Sequence, residues 1–112
     1  MQETEPVIIS LHGEYDIDRV GVLRAELERY WDHPYVVVDL TQVVYCDSTC
    51  LCEFIRMRKM RAAAGIRPAC YVVNKNRFGR LFRFLGLDEI FTVVESLDDA
   101  VASQNEVRLT AS

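Results

Sequence analysis

The chain has 112 residues, half of them hydrophobic and 27% charged, with a net charge of −4 and four cysteines. That length suits one core and leaves no room for a second domain, and the composition excludes a disordered or fibrous chain. The acidic balance counts against nucleic-acid binding, which needs a local excess of Lys and Arg to displace counterions.

The opening "MQETEPVIISLHGEYD" has no charged-then-apolar leader, and no apolar run approaches the ~20 residues of a membrane helix. The expectation is a soluble cytoplasmic protein, without membrane contact, whose Cys46, Cys50, Cys52 and Cys70 stay reduced. Val7 to His12 reads as a strand that meets turn residues at Gly13. In "DIDRVGVLRAELERYWDHP" the apolar positions Val20, Leu23, Leu27 and Trp31 recur every three or four residues, which makes one stripe on a helix. Asp18 is its expected N-cap, and Pro34 lies beyond its end.

Tyr35 to Leu40 is β-branched and apolar throughout, the mark of a strand covered on both faces. From Ser48 to about Ala64 the pattern is helical, with Gly65 as the closing residue. "ACYVVN" is another covered strand. A helix in "NRFGRLFRFLGLD" places Phe78, Leu81, Phe82 and Leu85 on one side and ends at Gly86. "IFTVVE" is a fourth strand, and "SLDDAVASQ" a last helix capped by Ser96, after which residues 105–112 are expected to fray. The order β-α-β-α-β-α-β-α predicts one α/β domain with its core over about 7–104. Its sheet is expected to be mixed, mostly parallel, of about four strands with helix cover.

Chemistry-bearing residues converge where the second strand becomes a helix, at "CDSTCLC" (Cys46 to Cys52). A strand feeding straight into a helix leaves the first helical N–H groups without partners, and Asp, Ser and Thr accept such bonds. On the simplest reading Asp47 or Ser48 is therefore a cap and nothing more. On the second reading the same geometry holds a hydroxyl at the surface beside the positive end of a helix dipole. A phosphate added there is tolerated by its own helix, and its charge acts on whatever docks against that surface.

In this strand-to-helix setting "DSTCLCEF" resembles the D-S-[ST]-G-L-G signature of the STAS family, the anti-sigma factor antagonists. "ISLHGEYDIDRVGVLRAEL" resembles that family's strand, G-E-L-D loop and first helix, and "NRFGRLFRFLGLDEIFTVVESLDDAV" its usual ending. The resemblance runs from about Ile8 to Ala102 and implies a single STAS domain over 1–112. It implies a binding module rather than an enzyme, needing no cofactor and no metal. In such proteins the unphosphorylated form captures an anti-sigma factor that is itself a serine kinase. Phosphorylation releases that partner, and a phosphatase resets the cycle.

Carried over by position, Ser48 matches the phosphoacceptor and Asp47 the acid before it. Thr49 matches the neighbouring hydroxyl, and Asp16 the loop aspartate near the docking surface. Cys50 and Cys52 stand where the family has glycines and belong to the same surface. Their bulk implies either altered docking of the usual kinase or a partner matched to it. The strand that usually precedes the G-E-L-D strand is nearly absent, which implies an open sheet edge and a tendency to dimerise. STAS-like domains also serve as docking subunits of membrane transporters, a version that needs no phosphorylation.

The cysteine spacing C-x3-C-x-C is not a zinc pattern, and Cys50 and Cys52 point about 200° apart on a helix. Cys46 and Cys70 read as small buried hydrophobes. A redox role for Cys50 or Cys52 would need the helix start to lower a thiol pKa. His12 and His33 lack the partners of a hydrolase triad, and no phosphate-binding glycine loop is present. In "RMRKMR" Leu51, Phe54, Ile55 and Ala62 form the expected inward stripe. Arg56, Lys59 and Arg61 point outward, and Arg58 lies against the apolar side. Arg77, Arg80 and Arg83 are spaced to share one face of the next helix.

Overall fold

The computed structural model describes residues 5–103. Four strands, β1 (Val7–Tyr15), β2 (Val36–Cys46), β3 (Cys70–Val72) and β4 (Thr92–Val94), form one sheet in the order β1-β2-β3-β4. Every pairing is parallel, so the sheet is wholly parallel rather than mixed among the described residues. Helices α1 (Val20–Tyr30), α2 (Ser48–Ala63) and α3 (Arg77–Phe84) connect the strands, a short 3-10 turn spans Leu87–Glu89, and residues 97–103 form α4. The expected β-α-β-α-β-α-β-α order is the observed one. The tail over 105–112 lies outside the described residues.

Parallel strands require crossovers, and here the crossovers supply the cover. Leu23 and Leu27 of α1, Phe54 and Met57 of α2, and Phe78 and Phe82 of α3 pack with Ile9, Leu11, Val36, Val38, Leu40 and Tyr71 in the main core. On the opposite face Val37, Cys70 and Val72 meet Ala100 of α4. β2 is therefore covered on both faces over Val36–Val38, as its apolar run predicts. Gly79 is required by packing: a Cβ there would collide with the carbonyl of Asn74. Its absence lets Asn76 cap α3 by accepting the Gly79 N–H at 2.8 Å.

Several elements depart from expectation. β1 does not stop at His12 but runs on to Tyr15, with register shifts at Ser10/His12 and Gly13/Glu14. Gly13 takes φ +80°, so "GEY" is bent strand rather than loop. β2 likewise extends to Cys46, six residues past Leu40. Asp18 does not cap α1. Arg19 holds that position without capping the helix through its side chain, while the Asp18 N–H is spent on Asp16 Oδ1 at 3.0 Å.

On α3 only Phe78 and Phe82 face the core; Leu81 and Leu85 are exposed. Arg83 leaves the face shared by Arg77 and Arg80 and turns back to the carbonyls of Val73 and Asn74, at 2.9 and 3.0 Å. Ser96 caps α4 as expected, accepting the Asp99 N–H at 3.1 Å. The outer edge of β1 has no strand partner among the described residues.

The largest correction concerns Arg61. Its side chain is fully buried, not solvated, while Ala62 takes the exposed place. The guanidinium donates to the carbonyls of Arg67 (2.9 Å), Trp31 (2.7 Å) and His33 (2.7 Å), and more weakly to Pro34 (3.4 Å). One cation thereby satisfies the carbonyls of two loops at the amino end of the sheet, those before β2 and before β3.

A site where two strand ends meet a helix start

At the carboxyl end of the sheet β1 and β2 finish side by side, with Tyr15 in register with Cys46. One residue further on, the Asp47 N–H donates to the Tyr15 carbonyl at 3.1 Å. That bond carries the sheet pairing past the last strand residue and fixes the angle at which α2 leaves. Asp47 is extended (φ −82°, ψ 177°) and its carboxylate accepts the Cys50 N–H at 3.1 Å. The cap is therefore Asp47 and not Ser48.

Because Asp47 caps the helix, the two hydroxyls are left over. Ser48 and Thr49 are both exposed, and neither side chain has a hydrogen-bond partner among the described residues. Asp16 lies in the loop after β1, its main-chain carbonyl in contact with the Cys50 thiol of the same helix turn. One of its carboxylate oxygens accepts the Asp18 N–H, an Asx turn that shapes the loop. Arg19 braces the same loop, donating to the Glu14 carbonyl at 2.7 Å and lying over the Tyr15 ring at 4.7 Å.

The two cysteines of the motif have different fates. Cys50 is wholly buried, and its thiol donates to the Asp16 carbonyl at 3.5 Å. It cannot touch a partner, so its assignment to the contact surface is corrected: it ties the loop to the helix from beneath. Because its side chain points inward, it also adds no bulk to the exposed surface of the helix start. Cys52 is exposed on the far side of the first turn. Burial and the neighbouring Asp47 charge push the Cys50 thiol up to about 11, burial pushes Cys70 up to about 11, and Cys46 is raised further by burial. These thiols are protonated at neutral pH, which opposes a redox role for them.

Among the described residues no group of three or more His, Cys, Asp or Glu is arranged to hold a metal. His33 accepts the Tyr35 N–H at 3.1 Å before β2 begins, at the opposite end of that strand from Ser48. Sequence reasoning missed the brace at Arg19 and the clamp at Glu53, one turn and a half into α2. The buried Glu53 carboxylate receives Arg24 of α1 at 3.0 and 2.7 Å, a bidentate pair that locks α1 against α2. Arg24 and Glu53 are 29 residues apart, and no local pattern signals such a pairing.

Fold and site together define a small α/β module that offers a helix start with two unengaged hydroxyls, braced by a loop from the neighbouring strand. The family model described as "Mlab, STAS domain" matches residues 1–97, and the chain belongs to the STAS domain family. The fold is similar to that of an anti-sigma factor antagonist from Mycobacterium paratuberculosis, with a TM-score of 0.76 and 20% identity over 94% of this chain and 90% of that one. It is similar also to the antagonist SpoIIAA in its unphosphorylated form, with a TM-score of 0.60 and 20% identity over 96% and 94% of the two chains. A sulfate transporter family protein from Wolinella succinogenes aligns with a TM-score of 0.69 and 16% identity over 89% and 84%. At these identities the likeness is one of fold. No curated protein matches the chain.

Proposed function

We propose that the protein is an anti-sigma factor antagonist, a regulatory binding module and not an enzyme, whose unphosphorylated form captures an anti-sigma factor of the serine-kinase type. Ser48 is its phosphoacceptor, and Asp16, Asp47, Thr49 and Cys52 shape the surrounding contact. The observation that carries the reading is the division of labour at the helix start. Asp47 does the capping, so the exposed Ser48 hydroxyl is not needed by the fold.

In the switching step the Ser48 oxygen takes the γ-phosphoryl group of ATP, ADP leaves and the hydroxyl proton goes to solvent or a kinase base. The product carries about −1.5 to −2 charge at pH 7. Four main-chain N–H groups open a helix, and only some are capped, so the anion sits favourably on α2 itself. Its cost falls on the partner, because charge and bulk at the centre of an interface weaken binding by several kcal/mol. A phosphatase returns the module to its binding form.

The test is affinity for the kinase-type anti-sigma factor of the same cell. Ser48→Ala is expected to bind constitutively and Ser48→Asp at least tenfold more weakly. Equal affinity of the two variants removes Ser48 from the mechanism. A second reading is favoured by the likeness to the transporter family protein: the same helix start docks on a transporter subunit without phosphorylation. Incubation with ATP and the kinase, followed by mass spectrometry of the Ser48 peptide, separates the two. The open edge of β1 supports weak self-association, which sedimentation showing only monomer at high concentration removes.

A further inference from the structure

Helix α3 displays three large apolar side chains that the core does not use: Leu81 is 45% exposed, Leu85 51% and Phe84 86%. At about 100° per residue they share an arc of roughly 140° with Arg77 and Arg80, opposite the buried Phe82. Arg77 and Arg80 are exposed, and their side chains make no hydrogen bond or ion pair among the described residues. Arg83, by contrast, is taken up by main-chain carbonyls. Residues 74–87 hold four basic side chains and no acidic one, in a chain whose net charge is −4. The first acids, Asp88 and Glu89, come after the left-handed turn at Gly86.

Single exposed apolar residues need no explanation, but a contiguous apolar stripe flanked by unpaired cations does. We propose that α3 is a second docking surface, separate from the Ser48 site, that takes an acidic protein segment. Leu81, Phe84 and Leu85 seat the apolar ridge of the partner, and Arg77 and Arg80 grip carboxylates at one end of it.

The residue types favour a protein over other occupants. The two free cations within this arc are arginines, whose planar forks pair carboxylates bidentately, and aromatic and Arg side chains are the ones enriched in interface centres. An anionic membrane calls for a polybasic cluster or a longer apolar face than this eight-residue helix offers. A parallel symmetric contact with a second copy would set like charges from Arg77 and Arg80 near one another, which is unfavourable.

The probe is a stapled helical peptide with leucines at i, i+3 and i+7 flanked by glutamates, together with its counterpart in which lysines replace the glutamates. Each is titrated into the isotope-labelled full chain. The acidic peptide is expected to give saturable amide shifts over residues 77–85 and to bind at least tenfold more tightly than the lysine peptide. Phe84→Ala weakens it at least tenfold, and Arg77→Glu with Arg80→Glu reverses the preference toward the lysine peptide. Ser48→Asp leaves the affinity unchanged, so a failure at α3 is distinguishable from a failure at the Ser48 site. Indifference to peptide charge or shifts centred on residues 47–52 would overturn the proposal. So would binding only to phosphatidylglycerol vesicles, or self-association abolished by Phe84→Ala.

Discussion

The thiol of Cys50 lies beneath the main-chain carbonyl of Asp16, 3.5 Å away, and this contact couples the first turn of α2 to the loop after β1. Cys50→Gly, which restores the family pattern, removes that tie, opens a small void in the core and places a flexible residue in a helix. The expected cost is about 2 kcal/mol, read as a lower melting temperature and as faster amide exchange over residues 16–19. Unchanged exchange there would show that Arg19 alone holds the loop.

The same burial governs thiol chemistry. Cys46, Cys50 and Cys70 are buried and Cys52 is exposed, and burial raises the pKa of the three buried thiols. Labelling of the native protein at pH 7.5 with a chromogenic disulfide is expected to modify Cys52 rapidly and the other three only on unfolding. Rapid reaction of Cys50 would reopen the redox reading of the motif.

Ser48→Asp separates binding from folding. The new carboxylate stands at the positive end of α2 on an exposed position, where a charge of this sign is worth about 0.3–1 kcal/mol in favour of the helix. The melting temperature is expected to stay level or rise slightly while partner affinity falls. A drop of several degrees would mean that the hydroxyl has a structural duty.

Legibility in the sequence follows the range of the interactions. The periods of Val20–Leu23–Leu27 and of Val36–Val38 are local and state the helix and the covered strand directly. The Asp-Ser-Thr run marks the α2 start for the same reason. Periodicity assigns Arg61 an outward face, yet its position is decided by carbonyls of Trp31, His33 and Pro34, about thirty residues away. Cys50 shows the same limit: a family motif places it beside the phosphoacceptor, but only the packed loop at Asp16 turns its thiol inward. Leu81 and Leu85 fit an amphipathic pattern on paper, whereas α3 leans on the sheet along the narrower line of Phe78 and Phe82.

Arg61 itself is a test of how the amino end of the sheet is held. Arg61→Met keeps much of the volume but leaves the part-buried carbonyls of Arg67, Trp31 and His33 without their donor. Each such loss costs about 1–3 kcal/mol, so a total above about 3 kcal/mol is expected, with a melting temperature lower by more than roughly 10 °C. Tyr71→Phe is the contrast. Its buried hydroxyl has no hydrogen-bond partner among the described residues, so its removal is expected to be neutral or stabilising. A loss of several degrees in Tyr71→Phe would reveal a bond that this hydroxyl makes.

The clamp between α1 and α2 predicts a pH dependence with a definite sign. The bidentate bond from Arg24 holds the Glu53 carboxyl below its ordinary value, outweighing the opposite effect of burial. Because the folded state favours the charged form, its stabilisation is complete above the unfolded pKa, about 4.3 for glutamate. It is lost as pH falls from there through the depressed folded value. Glu53→Gln removes this contribution, so the gap in melting temperature between wild type and variant should be widest near pH 7 and narrow below pH 4. Arg24→Met should reproduce the gap, and adding it to Glu53→Gln should add little, since both act on one pair. A gap that is constant from pH 7 to pH 3 would mean that Glu53 acts by packing alone, and that α1 is held against α2 by Leu23 and Leu27 rather than by charge.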